Sequence, residues 1–424
     1  MTPVPFEVES ARSLPGPRWL RDRRASAAAT LAGAELPTTE EEVWRYSRIA
    51  ELELGAFRLV EHASGDEPEA LRPVIDLVPE RAGVIVVRNG RVVRAELADD
   101  LASKGVFFGA LAEAENPSSL LGSVASAGPD VFALMNDAFA ADPVALVVPS
   151  GVVVEAPFAV AHWIDEEAAA VLPRLVVTTG EGSEISVLEY YGSAAVTALM
   201  VPLVELSVGP AARVGYVGVQ DLAPSVWQVG SHVSAVDRSG VLRSAAAMLG
   251  GDYARLRMDC RLVGRGAQGD LMSVYFGEGH QTLDLRTFQD HRAPDTSSEL
   301  TFKGAVSGSA RSIYTGLIKV EPDARGTNAR QSNRLLKLSE DAWAESVPNL
   351  EIETNDVRCS HASAVGPVDE DQRFYLESRG VKPEVAQRLV VTGFFEEVLA
   401  QLPVPGVGEP LRARIIDKLE GGGA

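Results

Sequence analysis

The segment "GSEISVLEY", residues 182–190, is the first copy of a repeated pattern that predicts the architecture of this chain. Small residues precede a short run with the alternation of a half-buried β-strand. The pattern recurs with first residues 27, 30, 27 and 42 positions apart, and repeats of this length indicate stacked units. A β-helix or β-solenoid fits this spacing, and a multi-stranded sandwich is the alternative. The later copies are "GPAARVGYV" from Gly209, "SGVLRSAAAM" from Ser239, "GAQGDLMSVYF" from Gly266 and "GSARSIYTGL" from Gly308.

Three parts of the chain differ in their predicted secondary structure. Residues 1–130 are predicted to be mainly helical, residues 131–366 to form the β-helix core, and residues 367–424 to be helical again. In the last part, Gly380 is suited to end one helix and Pro383 to begin the next. The predicted order is therefore helical, long β, helical.

Two local signals refine the prediction for the N-terminal part. Thr38 and Glu41 in "LPTTEEEVWRYSRIAEL" have the spacing of a capping box, which predicts a helix beginning there. Asn89-Gly90 separates two β-branched runs in "GVIVVRNGRVVRAEL", which predicts a tight β-hairpin. The first part is thus expected to be helical with one small β-unit.

The composition limits the partners of this chain. A net charge of −20 argues against binding to nucleic acid or to an anionic membrane surface, since both need clustered Lys and Arg. The most apolar region, residues 145–164, is interrupted by two prolines and a glutamate and is not expected to span a bilayer. The N-terminus lacks the apolar core of a signal peptide, and the chain has two cysteines. We therefore expect a cytoplasmic protein.

Motifs for catalysis are weak. "GRGAQG", residues 264–269, has the letters of a dinucleotide fingerprint, but the strand-like "LMSVYF" follows where a helix is needed. Neither a GxxxxGK[ST] phosphate loop nor a GxSxG nucleophile motif occurs. We predict no catalytic residue, no cofactor-binding motif and no enzymatic activity. Cys260 is expected to be buried as a small apolar residue. The histidines expected to be structural or surface residues are His62, His162, His232, His280 and His291.

One pair of residues has the chemistry of half a metal site. Cys359 and His361, in "EIETNDVRCSHASAVG", stand two apart, so on a strand their side chains point to the same face. Thiolate and imidazole suit zinc or iron. A closed zinc site or a cluster normally has four protein ligands, and the sequence offers no second pair. If the site exists, a partner subunit must complete it.

Residues 331–381 resemble the C-terminal core signature of the SufB/SufD family of iron–sulfur cluster assembly scaffolds, and within it the SufD branch. Two further segments resemble the family's opening helix and the beginning of its β-domain. The motifs that carry the resemblance are "NRLL", "PNLEI", "NDVRCSH" and "FYLESRG", with "LPTTEEEVWRYSRI" and "FALMNDAFAADPVALVVPSGVVVEAPFAV" nearer the N-terminus.

The resemblance implies a right-handed parallel β-helix flanked by N-terminal and C-terminal helical domains. It implies a non-enzymatic scaffold that pairs with a SufB-like subunit through the β-helix and docks a SufC-like ATPase through its C-terminal helices. A transient iron–sulfur cluster would form at the interface, with no cofactor in the isolated chain. By the same resemblance His361 is a ligand candidate, with Cys359 beside it.

The predicted helix from Pro383 is apolar on more than one side, which is typical of a helix that is deeply buried or also binds a partner. Leu389 and Phe394 lie on one face, and Val391 and Phe395 extend beyond it. The resemblance favours ATPase docking in this region, and packing between the β-helix and the last helix is the alternative.

Two other functions remain open. A SufB-like paralogue would carry cysteines in "KLSEDAWAESVPNLEI" and a glutamate at Ala362, so both positions favour the SufD branch. A β-helix enzyme acting on carbohydrate would need paired acids in a groove. Glu351 and Glu353 have a suitable spacing, although outward-facing strand residues would share it.

Overall fold

Two long sheets of mainly parallel strands form the centre of the protein. The computed structural model describes residues 6–60, 65–125 and 130–421 of the 424-residue chain. From residue 203 onward successive strands alternate between the two sheets, so each circuit of the chain there adds one strand to each. About eight such turns stack into a β-solenoid, and strand exceeds helix in the chain, 42% against 24%. The predicted parallel β-helix is confirmed.

Within each sheet, most neighbouring strands belong to successive turns of the β-helix. The first sheet contains, in spatial order, β4 (Phe107–Ala110), β5 (Val144–Val148), β8 (Arg174–Thr179), β11 (Leu203–Val208), β13 (Val226–Val236), β15 (Tyr253–Leu262), β17 (Thr282–His291), β19 (Arg311–Val320) and β21 (Trp343–Ile352), with β1 (Arg58–Leu59), β7 (Ala169–Val171) and β10 (Ala198–Met200) beside them. The second contains β3 (Arg91–Leu97), β2 (Gly83–Arg88), β6 (Phe158–Ile164), β9 (Glu184–Ser193), β12 (Arg213–Asp221), β14 (Val241–Met248), β16 (Gln268–Gly277), β18 (Ser297–Val306), β20 (Thr327–Lys337) and β22 (Val357–Pro367).

The register of the second sheet explains the repeat spacing. From β6 onward, parallel partners lie from 27 residues apart, as in Val241 and Gln268, to 31 apart, as in Ser297 and Asn328. The first four copies of the sequence pattern each lead into a strand of the second sheet, whereas the copy at Gly308 leads into β19 of the first. The spacing of 42 therefore corresponds to one and a half turns. Because these pairings are parallel, the sandwich alternative is wrong.

The small residues of the pattern have a conformational role at the corner before the second sheet. One residue in each of five successive turns has a positive φ, where glycine has no steric cost and other residues are strained. These residues and their φ angles are Gly182 (67°), Ala211 (53°), Ser239 (55°), Gly266 (71°) and Asp295 (59°). The sequence repeat is thus set by a backbone requirement that recurs once per turn.

Two glycines with equally open surroundings, one at this corner with positive φ and one in a helix, test the backbone requirement. We expect Gly182→Ala to lower the free energy of unfolding by about 1 kcal/mol, because alanine is strained at positive φ. In the described structure an added Cβ there would meet no atom within 4 Å, so only the backbone contributes. Gly393, in the middle of a C-terminal helix, has equally open space. Gly393→Ala should therefore stabilise by about 0.5–1 kcal/mol. Denaturant unfolding checks both signs, and a loss at both positions would contradict the backbone explanation.

Alternate strand residues point into the lumen between the two sheets and fill it. Along β20 the buried positions alternate with exposed or half-buried ones, as the two-residue period requires. Large aromatic rings occupy the lumen, among them Phe302 and Tyr314, whose centres lie 5.0 Å apart. Gly304 leaves room for another: a Cβ there would lie 2.0 Å from the Tyr275 ring. Close approach, and not flexibility, requires glycine at that position.

Helices lie at both ends of the chain. In chain order they are α1 (Val8–Ser13), α2 (Arg18–Leu31), α3 (Arg72–Ile75), α4 (Asp99–Ser103), α5 (Pro117–Leu120), α6 (Val131–Phe139), α7 (Glu370–Ser378), α8 (Pro383–Leu399) and α9 (Gly408–Gly421). The predicted cap positions of the C-terminal helices are confirmed: Gly380 has φ 86° just after α7, and Pro383 begins α8. Helix α6 was not predicted, although Asp130 offers an N-cap signal: its carboxylate accepts from the backbone N–H groups of Phe132 and Ala133.

The helix predicted from Thr38 is wrong. Thr38 N does donate to Glu41 Oε1 at 2.9 Å, but the chain continues in short 3₁₀ turns and not in an α-helix. Two arginines of the first sheet donate hydrogen bonds to backbone carbonyl oxygens that would accept from backbone N–H groups in an α-helix. Arg255 Nη2 donates to Val43 O at 2.7 Å, and Arg286 Nη2 donates to Arg45 O at 2.9 Å. Tertiary contacts therefore override the local capping signal.

The predicted hairpin is confirmed and extends the second sheet. Asn89 and Gly90 connect β2 and β3 with positive φ at both positions, 48° and 80°, as a type I′ turn requires. Strand β2 pairs in parallel with β6, so the hairpin begins the stack before residue 130. Among the described residues, no helix is long and apolar enough to cross a membrane.

Candidate metal centre at the open end of the β-helix

Strands β21 and β22 are the last of their sheets. Each pairs with the preceding strand on one side, β19 and β20, and its other edge has no strand partner within the described chain. Every residue of both strands is half-buried or exposed. Soluble proteins usually protect such edges, because unpaired backbone groups are templates for another chain. The end of the solenoid is thus an open surface on which the candidate ligands lie.

Cys359 and His361 both lie on the lumen side of β22. Their register partners on β20 are Ala329 and Gln331, which are buried in the lumen. Cys359 is half-buried and packs against the apolar cluster that includes Ala329, whereas His361 is exposed. The structure therefore brings the thiol and the imidazole onto one face, next to the opening.

The electrostatics of the thiol matter for metal binding. Burial raises the pKa of Cys359, and the backbone hydrogen bond from Ala329 lowers it in part. The thiol of the isolated chain is consequently protonated at neutral pH, and metal binding must release that proton. No group of three or more His, Cys, Asp or Glu side chains in the described parts of the chain is placed to hold a metal ion. Cys359 and His361 by themselves would therefore not complete a four-ligand site.

A line of polar side chains in the lumen leads to this opening. Tyr275 donates its hydroxyl hydrogen to Asn333 Oδ1 at 3.1 Å, and Asn333 Nδ2 donates to Ser346 Oγ at 2.8 Å. Ser363 Oγ then donates to Ser346 Oγ at 2.7 Å, two positions from His361. The sequence analysis missed these residues, because they belong to four strands that come together only through the register of the stack.

The other histidines and Cys260 have structural environments. Burial lowers the pKa of His232 and of His291 to about 4, so both stay neutral at pH 7. His162 Nε2 lies 2.8 Å from Glu189 Oε1 inside the lumen, and His280 is hydrogen-bonded to Ser309, while His62 is outside the described residues. Cys260 is fully buried, and burial raises its pKa to about 11. The prediction of a buried, apolar role for Cys260 is confirmed.

Two other sites considered from the sequence, a dinucleotide site and a pair of acids for carbohydrate, are not formed by the described residues. "GRGAQG" forms the turn between β15 and β16, so the strand that follows it excludes a dinucleotide fold there. Glu351 is on the outer side of β21, and Glu351 and Glu353 carboxylates both lie near Lys319 Nζ, at 3.9 and 3.7 Å. These acids form a solvated surface network, as expected of outward-facing strand residues.

A second surface lies beside the opening, between the ends of β20 and β22 and helices α7 and α8. It is a groove of about 1180 Å³. Every residue of α7 is half-buried or exposed, and Tyr375 of α7 and Leu389 of α8 line the groove with 58% and 50% of their surface exposed. On its opposite side α8 buries Val391 and Phe395 against the second sheet. The apolar residues of α8 are therefore divided between the core and this groove.

Comparison with known proteins places these features in one family. The SufBD core domain of the SUF system for FeS cluster assembly matches residues 162–394, and the SufBD N-terminal region matches residues 15–160.

Individual relatives agree with this assignment. The iron–sulfur cluster assembly protein SufD of Bacillus subtilis is 27% identical over 95% of both chains. A SufBD family protein of Mycobacterium tuberculosis is 40% identical over 51% of this chain, and the match spans only 57% of that relative. A SufBD family protein of Staphylococcus haemolyticus is 28% identical over 80% of this chain and 77% of its own. The chain therefore belongs to the SufBD family of iron–sulfur cluster assembly proteins and is SufD-like.

Proposed function

We propose that this chain is a non-enzymatic scaffold subunit of a SufBCD-type complex, in which a nascent iron–sulfur cluster is held between it and a SufB-like partner. The observation that carries the proposal is the half-site at the open end of the β-helix. His361 and Cys359 supply two ligands there, and the partner supplies the others. The cluster is the cargo of the complex and is not resident in the isolated chain.

The unpaired strands at the same end support pairing through the β-helix. A partner that adds strands to β21 and β22 would satisfy their outer backbone groups and cover the lumen opening in one step. Such a partner would bring its own ligands to within reach of His361. The two cysteines are both free thiols, which agrees with the cytoplasm as the compartment.

We further infer that the groove between α7 and α8 docks a SufC-like ATPase. Exposed Tyr375 of α7 and Leu389 of α8 line the groove, and Phe374 is exposed beside it on α7. Large apolar surfaces of this kind mark protein interfaces more often than free surface. Removing residues 367–424, the obvious test, would also uncover the second sheet against which α8 and α9 pack, so point variants are preferable.

Leu389→Asp tests the docking groove. We expect the Kd for the ATPase to rise about thirtyfold, or about 2 kcal/mol, because a charge replaces an apolar side chain inside the interface. The melting temperature should not change, since half of the Leu389 surface is already exposed. Val153→Asp is a matched control, because Val153 is 56% exposed and lies outside the groove. Calorimetric titration gives both affinities, and an unchanged Kd for Leu389→Asp would place the docking surface elsewhere.

A further inference from the structure

A buried glutamine with an unpartnered amide lies beneath the candidate metal centre. Gln331, on β20, is 3% exposed. Neither Oε1 nor Nε2 of its amide has a hydrogen-bond partner among the residues that the structure describes. Burying an amide without partners is unfavourable, and the groups left unpaired in native proteins are frequently tied to function. The burial of the Gln331 amide without hydrogen-bond partners therefore suggests a functional role.

The lumen neighbours of Gln331 on the same strand do not share this lack of partners. Asn333, the next lumen residue, accepts from Tyr275 and donates to Ser346. On the other side, Ala329 is apolar and packs beneath Cys359. The Gln331 amide therefore lies between a hydrogen-bonded polar line and an apolar cluster. Gln289, elsewhere in the lumen, has one unpartnered amide atom, whereas both polar atoms of the Gln331 amide lack a partner in the described chain.

The register places Gln331 directly below His361. The two residues are paired in the parallel ladder between β20 and β22, and adjacent strands lie about 4.8 Å apart. Both side chains are on the lumen face, so rotation of the glutamine side chain carries its amide toward the imidazole. Room for the amide is kept by Gly316 of β19, where a Cβ would lie 2.4 Å from Nε2.

We propose that Gln331 is a positioning residue for His361, an inference that rests on the proposed function of the half-site. When a partner covers the opening, one ring nitrogen of His361 faces the metal and the other faces the lumen floor. The Gln331 Oε1 atom then accepts a hydrogen bond from the N–H of that second nitrogen. A ligating histidine nearly always donates its other N–H in this way, which fixes the tautomer and the ring orientation.

The test uses Co²⁺ as a spectroscopic probe on the cluster-free complex of the full chain with its SufB-like partner. We expect Gln331→Leu to weaken Co²⁺ binding about 10- to 100-fold, as loss of an outer hydrogen bond to a ligand does. Gln331→Glu keeps the acceptor oxygen and should bind within a few-fold of wild type. Gln289→Leu is the matched control, since Gln289 is a fully buried lumen glutamine on β17 with an unpartnered Oε1 in the described chain. Its Co²⁺ affinity should be unchanged.

Thermal unfolding of the isolated chain separates positioning from packing. Because the amide forms no hydrogen bond in the described structure, Gln331→Leu should leave the melting temperature unchanged or raise it. The combination of weaker metal binding and undiminished stability is the signature of a positioning residue. Weaker binding with a lower melting temperature, or with loss of the partner complex, would overturn the inference.

His361→Ala distinguishes the two levels of the proposal. If His361→Ala abolishes Co²⁺ binding and Gln331→Leu does not change it, the positioning role is wrong and the half-site stands. If His361→Ala has no effect on Co²⁺ affinity, the half-site itself is wrong and the role of Gln331 falls with it.

Discussion

Replacing His361 with alanine is expected to reduce the iron and sulfide retained by the assembled complex at least about tenfold. The side chain is exposed on the lumen face of β22 and has no structural role that packing would reveal. The stability of the chain and its binding to the SufB-like partner should therefore be unchanged. Anaerobic co-expression, followed by iron and sulfide analysis of the purified complex, measures the effect.

Neighbours on the same strand provide the controls. Ser360→Ala changes an exposed residue on the outer face of β22 and should retain the wild-type cluster content. Cys359→Ser is expected to be milder than His361→Ala, because the resemblance assigns the stronger role to the histidine. Burial also raises the pKa of the Cys359 thiol and so disfavours the thiolate that would bind metal. A larger defect at Cys359 would reverse the assignment, and joint loss of cluster and complex would make His361 a structural residue.

Asp284→Ala is expected to cost about 3–5 kcal/mol in the free energy of unfolding, because it leaves two buried guanidinium groups without their counter-charge. Asp284 is fully buried and accepts from Arg255 Nη1 at 2.7 Å, Arg286 Nε at 2.6 Å and the Tyr253 hydroxyl at 2.8 Å. The same arginines hold the N-terminal segment through Val43 and Arg45. Loss of the carboxylate should therefore also loosen that segment, which hydrogen exchange would detect.

An exposed ion pair and the pH dependence provide independent checks. Asp22→Ala removes a pair with Arg18 in which both side chains are largely exposed, and it should cost less than about 1 kcal/mol. Burial acts to raise the pKa of Asp284, but the two arginines and the tyrosine hydroxyl outweigh it and hold the pKa below its usual range. The carboxylate therefore stabilises the fold above the unfolded-state pKa of about 3.9, and this contribution is lost as pH falls through the lower folded-state value. Equal costs at both aspartates in denaturant unfolding at pH 7 would contradict the buried-pair explanation.

Features that depend on a few neighbouring residues could be predicted from the sequence. The small residues that recur once per turn predict the β-solenoid. They recur because one corner residue of each turn has a positive φ, which glycine adopts at no steric cost. Asn89-Gly90 and Pro383 predict a hairpin and a helix start for the same kind of reason. Cys359 and His361 share a face because any strand has a two-residue period. Each of these signals acts over a few residues.

The contacts between distant elements could not be predicted from local patterns. Arg255 donates a hydrogen bond to the carbonyl oxygen of Val43, 212 residues away. This contact favours short 3₁₀ turns over the α-helix that the capping signal predicts. Gln331 lies under His361 because β20 and β22 are paired in register, a relation that no local pattern contains. Both outcomes depend on burial and on polar groups competing for partners across the stack. Those free energies arise only when distant parts of the chain are packed together.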